Sequence, residues 1–333
     1  MTTAGRASMH ARNVERVELK PPDITAYRAG NTGIPYVTSF DSGKPGPHAA
    51  IVALTHGNEI SGALAVDHLL RSDTRPAIGT LSLVFANVAA FEKFDPQSPN
   101  ASRYIDQDMN RLWTTNTGAG VDHKSIEGMR VHALRPFFET VDLLLDLHSM
   151  QSDSPALLLS GPSDKGRRFS HSLSSPAVIV CDSGHSNGTR LRDFSAFNAP
   201  DQPHKSVLAE CGQHWKSETA SMAIDTAYRF LLALGMINQT VAAGHLLPNR
   251  VPAHWIEVTG SFVPRHDDAQ FTQSFIGMEV ITHRGTIIAH DGAAQFRTPY
   301  DDCVLIMPSR RPIAGQTAVR LGRRHKFDGR IDG

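Results

Sequence analysis

The chain has 333 residues, of which 40% are hydrophobic and 20% are charged, and its 33 lysines and arginines equal its 33 aspartates and glutamates. This length can bury a large core, typically in two domains, and the zero net charge argues against bulk attraction to nucleic acid or to an anionic membrane. No segment has the roughly 18 apolar residues of a membrane span, no signal-peptide core is evident, and three cysteines give no disulfide framework, so we expect a cytoplasmic protein.

Residues before the first strong apolar run predict little regular structure. Residues 1–15 are expected to be loosely attached. Residues 16–48 alternate weakly around the turn signal Asn31-Thr32-Gly33, which predicts a hairpin.

Strands and helices are predicted to alternate from residue 49 to residue 235. Short apolar runs typical of strands covered on both faces occur at residues 49–55, 81–88, 142–148, 155–160, 177–181 and 206–211. Helical spacing predicts helices over residues 59–71 and 124–138, and from Ser217 to a stop at Gly235. This alternation favours an α/β fold with a mixed, largely parallel sheet layered by helices.

The pattern changes after residue 245, where prolines separate short β-prone runs and no helical spacing is found. We therefore predict a domain of residues 1–245 and a smaller β-rich C-terminal domain of residues 246–333. The basic stretch from Arg320 to Arg330 is expected to be a solvated tail.

Two histidines stand at the ends of predicted strands. His56 follows the 49–55 run and His148 ends the 142–148 run, so both point to the same rim of a doubly wound sheet. Glu59 lies three residues after His56, on the first turn of a helix. Two imidazoles and one carboxylate suit a catalytic Zn²⁺ with one open position, although the residue types do not exclude another divalent ion. Asp146 faces the same side as His148 and is a partner for its ring, a helix cap or a substrate-side carboxylate.

The loop of residues 103–113, RYIDQDMNRLW, is dense in polar groups. Paired guanidiniums suit bidentate binding of a carboxylate, and one can face a carbonyl under attack. A surface loop with incidental salt bridges is the alternative. Glu210 is the single acidic residue at the end of another apolar run and suits a general base. Its neighbours Cys211 and His214 are expected to be a small buried hydrophobe and a loop residue.

Four strings together resemble the aspartoacylase and succinylglutamate desuccinylase family, zinc hydrolases related to the carboxypeptidase A fold. They are THGNE (55–59), RYIDQDMNRLW (103–113), DLHS (146–149) and AECGQ (209–213), in the family's order. The resemblance implies zinc ligation by His56, Glu59 and His148. It also implies that Glu210 activates water and protonates the leaving amine, that Arg103 polarises the amide carbonyl, and that Asn110 and Arg111 bind a substrate carboxylate.

The chain departs from the family pattern in two places. The family's further arginine upstream of the general base is missing from residues 197–201, where Arg190 and Arg192 are the nearest substitutes. Tyr300 is a loose counterpart of a late family tyrosine. N-acetylaspartate itself is therefore not implied, whereas amide hydrolysis is.

The sequence thus predicts a zinc-dependent amidohydrolase that removes an acetyl- or succinyl-type N-acyl group from an amino acid or a close relative. No nucleic-acid or membrane partner is expected, and the oligomeric state is open, a homo-oligomer included. One alternative is a zinc carboxypeptidase acting on short peptides, which a C-terminal region capping the pocket would disfavour. The other is a catalytically inactive binding protein on the same scaffold.

Overall fold

An eleven-stranded sheet runs through the protein, and a three-stranded sheet forms within its C-terminal part. The computed structural model describes residues 16–114, 124–184, 187–248 and 251–327. The strands are β1 (Val37–Asp41), β2 (His48–Ala53), β3 (Thr80–Phe85), β4 (Leu143–Met150), β5 (Leu157–Leu159), β6 (Ile179–Cys181), β7 (Lys205–Gln213), β8 (His254–Phe262), β9 (Gln270–Phe271), β10 (Glu279–Ile281), β11 (Ile287–Asp291), β12 (Ala294–Arg297), β13 (Cys303–Ile306) and β14 (Val319–Lys326). The helices are α1 (Ile60–Arg71), α2 (Val88–Phe91), α3 (Ile126–Phe138), α4 (Asp164–Ser172), α5 (Ser217–Ala233) and α6 (Gln239–Ala242).

The order of the large sheet is β1-β3-β2-β4-β7-β5-β6-β8-β14-β13-β10. Strands β3, β2, β4 and β7 are parallel, whereas β1 and β5 are antiparallel to β3 and β7. Strand β6 joins β5 and β8 in parallel, and β14, β13 and β10 continue the sheet antiparallel. The predicted fold class is therefore confirmed. The division at residue 245 stays a prediction, while β8 and β14 add to the same sheet.

The six predicted strands are observed as β2 to β7, with their ends within three residues of the prediction. Strand β3 ends early because Asn87 caps α2 by accepting a hydrogen bond from Ala90 N (3.3 Å). The three predicted helices are α1, α3 and α5, and Gly235 has a positive φ of 66° just after α5. Helix α4 was missed because it has few apolar residues, although Ser163 caps it.

The predicted hairpin over residues 16–48 is wrong. Strand β3 lies between β1 and β2, so these two strands are not paired. Pro21 and Pro35 lack the N–H group that a ladder needs. The turn signal is nevertheless used, because the Asn31 side chain bonds both backbone groups of Ser39 at 2.7 and 2.8 Å. The prediction for residues 1–15 lies outside the described residues.

Strands β2 and β4 are buried on both faces. Ile51 packs with the apolar side chains of α1 and α5, and its neighbour Val52 packs with those of α3 on the opposite face. Leu145 and Leu144 divide in the same way. Each such side chain contributes about 1.5–3 kcal/mol when fully buried, so the strand ends that carry the site project from a rigid support.

No helix in the part of the chain that the structure describes is both long and apolar enough to cross a membrane. Cys181, Cys211 and Cys303 are buried free thiols.

Candidate metal centre and active-site cavity

The three predicted metal-binding side chains meet at the carboxyl edge of the sheet. Glu59 Oε1 lies 2.7 Å from His56 Nδ1, and Glu59 Oε2 lies 2.9 Å from His148 Nδ1. All three residues are buried, and one ligand atom from each falls within 4.8 Å of the others. One cation can therefore contact all three side chains.

Carboxylates lie behind both imidazoles. Asp108 Oδ1 is 3.0 Å from His56 Nε2, and Asp146 Oδ2 is 3.0 Å from His148 Nε2. Asp146 Oδ1 also accepts from Thr55 Oγ1 (3.0 Å). Each ring thus presents Nδ1 to the shared site and its other nitrogen to a carboxylate, as metal-ligating histidines do, although the His148–Asp146 pair is an ion-pair contact without hydrogen-bond geometry. Among its three sequence alternatives, Asp146 is therefore the partner of the His148 ring.

The electrostatics of the three side chains fit a divalent cation. Burial by itself raises the pKa of Glu59, but the flanking imidazoles hold it well below its usual range. The Ser149 N–H also donates to Glu59 Oε2 (3.1 Å). A buried carboxylate beside two imidazole nitrogens is a donor set that suits zinc by ligand type.

The backbone after β2 is built to place His56. Leu54 has a positive φ of 62°, a strained conformation for a residue with a side chain. A Cβ on Gly57 would lie 2.4 Å from the carbonyl carbon of Ala90 and 2.5 Å from Ser102 O. Gly57 N instead donates to Arg103 O (3.0 Å), so this glycine allows the arginine loop to approach the metal centre closely.

Arg103 lies directly against the metal centre. Its Nη2 is 2.9 Å from His56 Nε2, and its Nη1 is 3.5 Å from Glu59 Oε1. Asp108 Oδ2 lies 3.3 Å from Arg103 Nη2 and 3.7 Å from Arg111 Nη2. Burial opposes ionisation of Asp108, yet His56 and the two arginines hold its pKa far below the usual range. Asp108, to which the sequence assigned no role, therefore links both arginines to His56.

Glu127 binds the backbone of the loop of residues 103–113. It is fully buried on the first turn of α3, and its carboxylate accepts from the backbone N–H groups of Ile105 (2.7 Å), Asp106 (3.0 Å) and Gln107 (3.1 Å). Sequence reasoning missed this residue, because an acidic residue on a first helical turn usually faces solvent and complements the helix dipole.

Glu210 lies beside the metal centre on β7, paired in register with His148 of β4. Its Oε2 is buried and has no hydrogen-bond partner among the described residues. Burial raises the pKa of Glu210 to about 8, which His148 opposes and Glu59 reinforces. A divalent cation held by the neighbouring side chains would lower this pKa again and favour the ionised carboxylate. The carboxylate is therefore available for a proton transfer within the site.

A cavity of about 260 Å³ brings the predicted site residues together. Its walls include all seven of them: His56, Glu59, Arg103, Asn110, Arg111, His148 and Glu210. The C-terminal part of the chain contributes Met307, Pro308, Ser309, Thr317 and Arg320. Residues from both predicted domains thus enclose one cavity.

A buried ion-pair network forms part of the wall. Arg190 donates to both Asp182 oxygens (2.8 Å each) and to Asp193 Oδ2 (2.6 Å). Arg320 Nε lies 3.9 Å from Asp182 Oδ2. The expected solvated tail is therefore wrong for Arg320, because β14 pairs inside the sheet and buries this side chain. Residues 328–330 of that tail lie outside the described residues.

The two candidate arginine substitutes differ in position. Arg190 lines the cavity, whereas Arg192 donates to Ser160 O (3.1 Å) and Ser206 Oγ (3.2 Å) and is not among the lining residues. Tyr300 is also not among the residues that line the cavity. Its hydroxyl forms a hydrogen bond with the Thr259 hydroxyl instead.

The two residues near the end of β7 lie where the sequence predicted them. Cys211 is buried as expected. His214 lies in the turn directly after β7, as expected, and it is also buried and lines the cavity. No pattern in the sequence indicates that His214 is buried, because the burial of a residue just beyond a strand depends on which residues pack over it.

The amino-acid sequence matches a known protein family. The model of the succinylglutamate desuccinylase/aspartoacylase catalytic domain matches residues 45–232. A protein named "Probable aspartoacylase" from Nostoc sp. is 29% identical over 123 residues, which cover 34% of this chain and 39% of that protein. An aspartoacylase from Xenopus tropicalis is 28% identical over 151 residues, covering 41% and 46%. The chain thus spans less than half the length of either relative.

Similarity to solved structures supports the architecture. The crystal structure of succinylglutamate desuccinylase from Vibrio cholerae matches with a TM-score of 0.65 and 17% identity, covering 88% of this chain and 86% of that one. At this identity the likeness concerns the fold.

Proposed function

The chain belongs to the succinylglutamate desuccinylase/aspartoacylase family, and on that basis we propose that it is a zinc-dependent hydrolase of N-acylated amino acids. The acyl group is of the acetyl or succinyl type. The observation that carries the proposal is the His56–Glu59–His148 group, which shares one cavity with Glu210 and Arg103. Zinc at such a centre would supply a Lewis acid and would lower the pKa of water, so that the water can lose a proton and attack near neutral pH.

Glu210 moves the proton in this proposal. It accepts a proton from the attacking water and returns it to the departing amine nitrogen. Its unpartnered Oε2 next to His148 supports this role. Arg103, at 2.9 Å from His56 Nε2, is placed to donate to the carbonyl oxygen as that oxygen gains negative charge.

Substrate binding is assigned to the far side of the arginine loop. Asn110 and Arg111 bind the carboxylate of the amino-acid half, and Arg190 and Arg320, which face Asp182, lie in the same wall. Asn110 Oδ1 accepts from Leu191 N (2.9 Å), which fixes this side chain against the loop that carries Arg190.

The cavity favours a small substrate over a peptide. Met307, Pro308 and Ser309 of the C-terminal part line it, and its volume is about 260 Å³. A cavity of this size, with C-terminal residues in its wall, disfavours the carboxypeptidase alternative. The presence of every predicted site residue in one cavity disfavours an inactive binding protein. A cytoplasmic location is part of the proposal and is supported by the three unpaired thiols, while a homo-oligomer stays a prediction.

A deacylation screen tests the proposal. Zinc-loaded protein is assayed for amine release from acetyl, succinyl and formyl derivatives of Asp, Glu and diamino acids, with short peptides in parallel. We expect release from acylated amino acids. Glu210→Gln should keep its zinc by elemental analysis and lose about 10²–10⁴-fold in kcat, whereas His148→Ala should lose both zinc and turnover. Hydrolysis of peptides alone would refute the proposal.

A further inference from the structure

His214 is a buried imidazole in the cavity wall that has no role in the proposed mechanism. Its backbone N–H donates to Met150 O at the end of β4 (2.8 Å). The next residue, Trp215, donates from Nε1 to Asn58 O (3.1 Å). These bonds attach His214 to β4 and to the loop after His56, so its ring is held beside the metal centre.

Ser149 determines which ring nitrogen carries the proton. Its Oγ lies 2.8 Å from His214 Nδ1, and this is the one contact of the hydroxyl among the described residues. A buried hydroxyl with a single nitrogen partner satisfies its proton only by donating it. Nδ1 then accepts, and the neutral ring carries its proton on Nε2. Burial lowers the pKa of His214 to about 4, which keeps the ring neutral near neutral pH.

The second ring nitrogen is open to the cavity. Nε2 forms no hydrogen bond with the described residues. The atom nevertheless keeps some accessible surface, unlike the unpaired atoms that are fully buried. Since the residue is only 2% exposed and lines the cavity, the cavity is the space that reaches this atom. The ring contacts Ser149, which directly follows His148, and shares the cavity wall with Glu59 and Arg103, so it lies at the metal end of the cavity.

We propose that His214 is a further catalytic residue, which donates a hydrogen bond from Nε2 to the amide carbonyl oxygen beside Arg103. A fixed neutral donor aimed at an oxygen that gains charge stabilises the transition state more than the ground state. The inference rests on the proposed deacylation.

The test compares three variants in steady-state kinetics with the best substrate of the screen. His214→Phe keeps a ring and removes the donor, so kcat should fall on the order of 10²-fold with little change in KM. His214→Gln retains an amide N–H donor and should recover part of that loss. Ser149→Ala removes the hydroxyl that fixes the His214 tautomer, so its kcat should lie between those of wild type and His214→Phe. His132→Phe, which removes an exposed imidazole from α3, is the matched control and should behave as wild type.

Long-range ¹⁵N–¹H spectra of the zinc-loaded protein give a second measurement that does not depend on turnover. The His214 ring, assigned by its loss in His214→Phe, should show the Nε2–H form. An Nδ1–H ring, an unchanged kcat in His214→Phe, or a loss confined to KM would overturn the inference while the proposed function stands. If wild type hydrolyses no acylated amino acid, the proposed function fails, and this inference fails with it.

Discussion

The most informative perturbation outside the metal centre is the removal of the Glu127 carboxylate. Its Oε1 accepts from Ile105 N (2.7 Å) and Asn87 Nδ2 (3.0 Å), and its Oε2 accepts from Asp106 N (3.0 Å) and Gln107 N (3.1 Å). Glu127→Ala therefore takes the acceptor away from three consecutive backbone N–H groups. The loop that they belong to carries Arg103 at one end and the proposed substrate contacts at the other.

The magnitude follows from these bonds. A hydrogen bond to a charged group contributes about 1.5–3 kcal/mol. Asp106 is exposed and Ile105 and Gln107 are half-buried, so water replaces part of what is lost. We expect the free energy of unfolding to fall by about 2–4 kcal/mol. Displacement of the loop by about 1 Å should reduce kcat/KM on the order of 10²-fold.

The assay measures three quantities on the same preparations: denaturant unfolding, kcat/KM and zinc content. Zinc should be retained, because Glu127 contacts none of the three metal-binding side chains. Glu127→Gln keeps one acceptor oxygen and should give an intermediate result, and Glu139→Ala, exposed just after the same helix, is the control. An unfolding midpoint and a kcat/KM equal to those of wild type in Glu127→Ala would refute the reasoning, as would a loss of activity that only follows a loss of zinc.

Two further predictions concern the loop that carries Arg190. Gly188 has a positive φ of 141°, and a Cβ there would lie 2.4 Å from Arg111 O, so Gly188→Ala should lower the unfolding free energy by about 1–3 kcal/mol and reduce kcat/KM. Gly260→Ala, with nothing within 4 Å, should change neither, and equal behaviour of the two variants would contradict the prediction. Asp182→Ala leaves the buried Arg190 guanidinium with Asp193 as its one carboxylate partner among the described residues, and it should cost about 3–5 kcal/mol in denaturant unfolding at neutral pH. Burial opposes ionisation of Asp182, but Arg190 holds its pKa well below the usual range, so this stability is fully present above about pH 4, the unfolded-state pKa, and declines as the pH falls below it. The difference between wild type and Asp182→Ala should therefore shrink in acid, and a difference independent of pH would contradict the assignment.

Local sequence patterns were sufficient to predict strands β2 to β7 and the position of the His56–Glu59–His148 group. Apolar runs predicted β2 to β7, because strands covered on both faces need apolar side chains along their whole length. His56 and His148 follow two such runs, and parallel strands bring their carboxyl ends to one edge. The 2.7 and 2.9 Å contacts of Glu59 with both rings agree with that reasoning. The catalytic roles of these residues remain proposals.

Weak patterns failed where pairing was decided elsewhere in the chain. The alternation before residue 48 predicted a hairpin, yet β1 pairs with β3, which is more distant in the chain. Arg320 belongs to a basic stretch that looked like a tail, but β14 enters the sheet between β8 and β13. A one-dimensional pattern shows which residues are apolar and does not show which strand will cover a basic one.

The sequence by itself determined the α/β architecture, the positions of β2 to β7 along the chain, and the identity of two imidazoles and one carboxylate at a common edge. These properties depend on side-chain periodicity and on the direction of parallel strands, both of which are local. Only the tertiary structure decided that Asp108, Glu127 and His214 surround this edge. Their positions depend on burial and on hydrogen bonds between segments far apart in the chain, such as Glu127 with Ile105 and Ser149 with His214, and no spacing along the chain encodes such contacts.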